Sequence, residues 1–280
     1  MFRTIILALL IFCGMVAYDS NKKEPVPAPP PAQTQEAAEK DKAEAKRERG
    51  IVKSIFLALV PPMEKWPEPA RKMYLAINME DVIDPIREQP GWTPLKNMSR
   101  DLPAALIAIE DHDYYKHGAI AAEGILRALL ANAIAGEVVQ GGSTLTQQFV
   151  KNIFLTHEQS MERKISEALL SLILEEQYSK DEILELYLNT TYFGAGANGV
   201  KQAAAVYFGK APSALTLAEC AVIAALPYAP SALNPLENPD GCRKRQRLVL
   251  NAMLKYDLIN EKQLLEAKAE KILLANGSYL

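Results

Sequence analysis

The run TLAECAVIAAL (216–226) is apolar at nearly every position, as a helix buried on all sides must be, and Pro227 stops it. KDEILELYLN (180–189) mixes apolar and charged positions with a helical period, the pattern of a helix half in the core. IAAEGILRALLANAIA (120–135) puts Ile125, Leu129 and Ala133 on one stripe, with Arg127 as a cation inside it. Further helices are predicted over 103–111, from about Ser143, from Ser160, over 243–255 and over 261–275. Ser179 with Glu182 and Thr216 with Glu219 have the spacing of capping boxes at helix starts. Alternating β-branched runs are scarce, so the pattern predicts one all-α domain over residues 51–280.

The first 50 residues read differently. Residues 1–18 (MFRTIILALLIFCGMVAY) hold an apolar run preceded by Arg3 and followed by Asp19. Such a run is short against the roughly 20 residues that span a bilayer. It fits an uncleaved N-terminal anchor helix or the core of a cleaved signal peptide, and LIFCG has a faint lipoprotein character. The first two fates place residues from 19 onward outside the cytoplasm. Residues 19–50 form a linker: EPVPAPPPA (24–32) is proline-rich and stiff, and QEAAEKDKAEAKRER (35–49) is a solvated charged stretch.

Composition narrows the function classes. The chain has 280 residues, 49% of them hydrophobic, and a net charge of -3. That allows a sizeable core, and with no basic arm it gives no footprint for nucleic acid. Three cysteines, Cys13, Cys220 and Cys242, have neither zinc-ligand spacing nor a disulfide framework, and Cys220 reads as a core thiol. His112 and His117 lack a third partner at zinc-ligand spacing.

Three segments stand out as candidate chemistry. Glu110 ends the apolar stretch ALIAI and opens onto DHDYYKHG, a density of acids, histidines and tyrosines that suggests the lip of a cleft. GGSTLTQQFVKN (141–152) follows a glycine turn with neutral hydrogen-bonding groups. Ser143, Gln147 and Lys151 fall four apart, a predicted stripe of hydroxyl, amide and ammonium for a sugar beside a phosphate. Arg163, Lys164 and Glu167 share the first turns of another helix, where ordinary surface ion pairs have the same spacing. Together Arg127, Lys151, Arg163 and Lys164 offer cations beside two acids, suited to a leaving group that carries phosphate. Two carboxylates in a polar cleft equally serve a glycosidase.

These segments resemble the peptidoglycan glycosyltransferase family, which comprises monofunctional transglycosylases and the N-terminal domains of bifunctional penicillin-binding proteins. The resemblance rests on five segments in order. They are Glu110, Asp111, Tyr114 and His117; GGSTLTQQFVKN; Arg163, Lys164 and Glu167; ILELYLN (183–189) with YFG (192–194); and Arg245, Gln246, Val249, Leu250 and Met253. Ala119 and Gln159 depart from the family pattern, which has glycine and often arginine there, and Gln246 stands at a position usually basic.

The resemblance implies a lysozyme-like helical fold with a small membrane-facing lobe, acting on lipid II at the outer side of a bacterial cytoplasmic membrane. Glu110 would be the catalytic base and Glu167 the second essential acid. Arg127, Ser143, Thr144, Gln147, Lys151, Asn152, Arg163 and Lys164 would bind substrate. A divalent cation, Mg2+ or Mn2+, would meet the donor's pyrophosphate, with Glu167 as a protein ligand. The partners implied are the lipid-linked glycan strand, the membrane and wall-synthesis transpeptidases. No Ser-x-x-Lys nucleophile of a transpeptidase domain follows, so a monofunctional enzyme is expected, with a truncated bifunctional one as the alternative. The rival readings are a lysozyme-like lytic enzyme and a non-catalytic scaffold for wall synthesis.

Overall fold

Helices account for nearly all the regular structure of the computed structural model, which describes Tyr74 and residues 78–121, 142–155 and 160–280. These residues lie in a unit that runs from Pro67 to Leu280. Among them are nine α-helices: α1 Glu80–Arg87, α2 Asp101–Glu110, α3 Leu145–Phe154, α4 Met161–Gln177, α5 Lys180–Thr190, α6 Val200–Phe208, α7 Leu217–Ala225, α8 Pro239–Lys255 and α9 Glu261–Ala269. Two isolated bridges, Tyr192 to Asn198 and Leu273 to Tyr279, are the β-type pairings recorded there. The all-α expectation therefore holds for the described residues. The expected anchor (1–18), the linker (19–50) and the helix over 120–135 lie outside them. Among the described residues no helix is long and apolar enough to cross a membrane.

Local chemistry starts the helices. Thr144 with Gln147, Ser179 with Glu182, Thr216 with Glu219 and Asn260 with Gln263 all close reciprocal capping boxes. Each box satisfies two backbone donors that a helix start otherwise leaves open. Asn238 caps α8, and Pro239 takes the first position, where its missing N–H costs nothing. That cap starts α8 four residues before the expected 243.

The chain end departs further from expectation. α9 stops at Ala269, although the sequence predicts a helix to 275. Ile272 and Leu274 are buried while Leu273 between them is exposed, a period of two that belongs to extended chain. The Leu280 N–H donates to the Ile272 carbonyl at 2.9 Å, and the Ala275 N–H to that of Tyr207 at 2.9 Å.

Burial follows the apolar pattern. Every residue of α7 from Ala218 to Ala225 is buried, and α7 packs against both α2 and α8. Each large apolar side chain so buried contributes about 1.5–3 kcal/mol. A second group forms where α3 packs on α4 and α5. On α5, Glu185 and Asn189 clamp the segment before α2. Glu185 accepts from the Trp92 indole at 3.1 Å and the Leu95 N–H at 2.6 Å. Asn189 exchanges two bonds with the Thr93 backbone, at 2.8 and 2.9 Å. Beyond α5, Gly199 has a φ of +80°, and a Cβ there would fall 2.3 Å from the Asn189 carbonyl oxygen, so only glycine fits this turn.

Candidate active site

Glu110 is the last residue of α2, a helix whose other side buries Leu102, Ala105, Leu106 and Ala108. The helix thus delivers a half-buried carboxylate at the edge of the core. Its Oε2 accepts from the Gln148 side-chain amide at 3.0 Å, and the Gln148 Oε1 accepts from the Tyr187 hydroxyl at 3.0 Å. The relay joins three helices: α5 holds Tyr187, α3 holds Gln148 and α2 holds Glu110. No partner for Glu110 Oε1 occurs among the described residues.

The cluster after Glu110 is mostly architectural. Asp111 Oδ2 accepts the Leu145 N–H at 3.0 Å, so it caps the first residue of α3. Asp111 Oδ1 meets His117 Nε2 at 2.6 Å, and His117 Nδ1 meets the Gly118 carbonyl at 2.6 Å. Both ring nitrogens face acceptors, an arrangement suited to the imidazolium. Burial opposes the charge, but the bonds to Asp111 and Gly118 outweigh it and raise the His117 pKa above its ordinary value. Tyr114 is fully buried, and its hydroxyl donates to the Lys180 carbonyl at 2.9 Å. His112 stacks on Tyr256 with ring centroids 4.3 Å apart, which ties this turn to the end of α8.

The predicted stripe of Ser143, Gln147 and Lys151 does not form. Ser143 precedes the helix, because Thr144 rather than Ser143 is the cap. Thr144 and Gln147 are both buried, each bonded to the other's backbone N–H, and the Thr144 hydroxyl also donates to the Ala119 carbonyl at 2.8 Å. Lys151 is half-buried and Asn152 exposed. Neither has a hydrogen-bond or ion-pair partner among the described residues. Gln148, one of the segment's neutral hydrogen-bonding groups but not one of the predicted site residues, is the glutamine that reaches Glu110. The signal was present: a Thr-x-x-Gln box engages Gln147 and leaves its neighbour free.

Glu167 is the best-enclosed acid of the site, with its side chain 2% exposed. Arg163 Nη1 donates to its Oε2 at 2.9 Å, and the Lys164 ammonium pairs with its Oε1. Lys164 also donates to the Ser143 hydroxyl at 2.9 Å. The surface-pair reading of these three residues is thus replaced by a buried acid between two cations, joined to the segment that opens α3. Ser143 and Gln148 are five residues apart, so the Glu167 cluster and the Glu110 relay meet that segment within about one and a half helical turns. Arg127 and Gln159 lie outside the described residues.

A divalent cation finds little here. Both Glu167 oxygens already hold cations, and no three His, Cys, Asp or Glu residues converge among the described residues. The donor set does not fit a carboxylate-built site of the kind Mg2+ or Mn2+ takes.

The fifth segment is structural in its centre. Gln246 is fully buried, with its amide donating to the Ala218 carbonyl at 2.9 Å, so it ties α8 to α7. Val249, Leu250 and Met253 are core. The Arg245 guanidinium lies 4.1 Å from the centroid of the exposed Tyr228 ring. Cys220 and Cys242 are buried free thiols, and burial pushes each up to about 12.

Comparison with known proteins gives a consistent result. A family model described as Transglycosylase matches residues 65–254. A Cupriavidus necator protein named as a transglycosylase is 44% identical over 180 residues, which cover 64% of this chain and 78% of that protein. Penicillin-binding protein 1A of Aquifex aeolicus is 48% identical over 163 residues, 58% of this chain and 22% of that protein. Penicillin-binding protein 2D of Bacillus subtilis is 40% identical over 192 residues, 69% of this chain and 27% of that protein. The aligned region thus spans about a quarter of the length of these two penicillin-binding proteins.

Proposed function

The chain belongs to the transglycosylase family, the peptidoglycan glycosyltransferases that its motifs resemble, and from that membership we propose that it polymerises lipid II into glycan strands. The donor is a lipid-pyrophosphate-linked strand and the acceptor a new lipid II. Glu110 takes the proton from the acceptor sugar's 4-hydroxyl on its open Oε1. The acceptor oxygen then bonds to the donor's anomeric carbon, and the bond from that carbon to the pyrophosphate oxygen breaks. Attack opposite the leaving group turns an α-linked pyrophosphate into a β-1,4 bond. The electron pair leaves with the lipid pyrophosphate, whose charge Arg163, Lys164 and Lys151, unpaired among the described residues, receive. Glu167 sets the two former cations in place. Asn152 and Arg127 are assigned to substrate binding by resemblance alone. Any divalent cation would ride on the donor's phosphates rather than on a protein carboxylate.

The observation that carries this reading is the pairing of a Glu110 oxygen that is open among the described residues with a buried acid between two cations, both joined to the segment that opens α3. A lytic enzyme needs the first and has no use for the second. We extend the proposal to a lysozyme-like fold with a membrane-facing lobe, to residues 1–18 as a single-pass anchor, to an extracytoplasmic catalytic domain and to transpeptidase partners. The test is polymerisation of lipid II by the purified chain, with release of lipid pyrophosphate. Glu110→Gln should abolish polymer, and Glu167→Gln should reduce it by at least about 10²-fold, the scale of losing a positioned charge at the leaving group. Full polymer from Glu110→Gln, or soluble fragments cut from finished peptidoglycan by the wild type, would overturn the assignment.

A further inference from the structure

We propose that Tyr187, a buried residue of α5, orients the Gln148 amide and through it holds Glu110 in the geometry of a base, which makes Tyr187 a positioning residue for the transfer. The proposal rests on the transglycosylase reading above and adds a residue to its machinery.

An ionised carboxylate only accepts, so the end of Gln148 that faces Glu110 must be its NH2 group. Its carbonyl oxygen then faces the core and needs a donor. The Tyr187 hydroxyl, 3.0 Å away, is that donor. Burial, and then the nearby Glu110 charge, raise the Tyr187 hydroxyl well above its usual range, so it keeps its proton. Turning the amide over would set its carbonyl against the Glu110 carboxylate, so the carboxylate excludes that orientation. The Tyr187 hydroxyl, by donating to the carbonyl end, anchors the amide with its NH2 held toward Glu110.

The relay also has a fixed base. Tyr187 is 1% exposed, and α5 packs on α3 while Glu185 and Asn189 clamp the 92–95 segment. A rigid hydroxyl thus reaches a surface carboxylate through one intermediate, a use of an outer residue to fix an inner one.

The test uses the full chain and the variant Tyr187→Phe, which keeps the ring and removes only the hydroxyl. Lipid II polymerisation should show kcat reduced by up to about 10²-fold, the scale of a misplaced catalytic group, with KM changed less than about twofold. In a Gln148→Leu background the same substitution should change kcat by less than about twofold, because the amide it orients is gone. An equal loss in both backgrounds, or a loss confined to KM, would overturn the proposal. A second measurement does not depend on turnover. With glutamine labelled at its side-chain nitrogen, the Gln148 NH2 protons should show NOE contacts to the Glu110 methylene protons in wild type and lose them in Tyr187→Phe. Retention of those contacts in the variant overturns the proposal. A wild-type chain that makes no polymer yet shows the expected NMR change overturns the lipid II reading and supports the orienting role.

Discussion

His117 has both ring nitrogens on acceptors, and the consequence can be signed. Its pKa is raised in the folded chain, so the stability it contributes is complete below the unfolded value of about 6.5. That contribution is lost as pH climbs through the higher folded value. Urea unfolding of wild type and His117→Ala should therefore differ most near pH 5.5 and least near pH 9. A gap that widens with pH would show that the neutral ring is the stabilising form. At this scale the sequence was partly legible. Type and spacing made Glu110, Arg163, Lys164 and Glu167 candidates, the resemblance gave them roles, and the structure sets Arg163 and Lys164 on the buried Glu167. Gln148 was not assigned to the site because two adjacent glutamines differ only in which helical face they take, and the predicted start at about Ser143 lies two residues before Leu145.

Helix starts in this chain fall into two kinds with different consequences. Ser179 caps α5 on the exposed surface, whereas Thr144 caps α3 between the Glu167 cluster and the Glu110 relay. Thr144→Ala and Ser179→Ala should each lower stability by about 0.5–2 kcal/mol, read from denaturant midpoints. Thr144→Ala alone should also lower the rate of lipid II polymerisation beyond what the unfolded fraction explains. Equal activity per folded molecule in the two variants would deny α3 its bridging role. The boxes at Ser179 and Thr216 were readable because both partners sit at fixed offsets in the sequence. The end of α9 was not. LEAKAEKILL continues a helical composition, and only the contact of Ile272 and Leu274 with the core imposes the extended form.

On the scale of the whole molecule, α7 is the element that others are built around. Ile223 is fully buried in a helix packed against both α2 and α8. Ile223→Ala should cost about 2–5 kcal/mol, and a thermal or urea transition shifted by less than about 1 kcal/mol would show that the helix relaxes to fill the space. The sequence made α7 central through an apolarity broken only by Glu219, the capping-box acid. It did not say which helices would flank it, because apolar stripes carry no address. The Glu185 and Asn189 clamp on residues 92–95 was invisible for the same reason, since all its partners but the Trp92 indole are backbone groups, and all lie about 90 residues away.

Ser143 and Gln148 belong to one short stretch of chain, and this gives the site a thermodynamic property. Phosphate drawn to Lys164 competes for the ammonium that Ser143 and Glu167 now hold, and any shift of Ser143 is felt five residues on, where Gln148 meets Glu110. Donor occupancy and base alignment are then linked functions of a single variable, the seating of α3. Linkage runs both ways by the same factor. On the proposed transfer, a donor that firms the seating of α3 would sharpen the base, and one that draws Lys164 off Ser143 would slacken it. The helix start would then act as a coupling element, through which donor and acceptor change each other's dissociation constant by one common factor without having to touch.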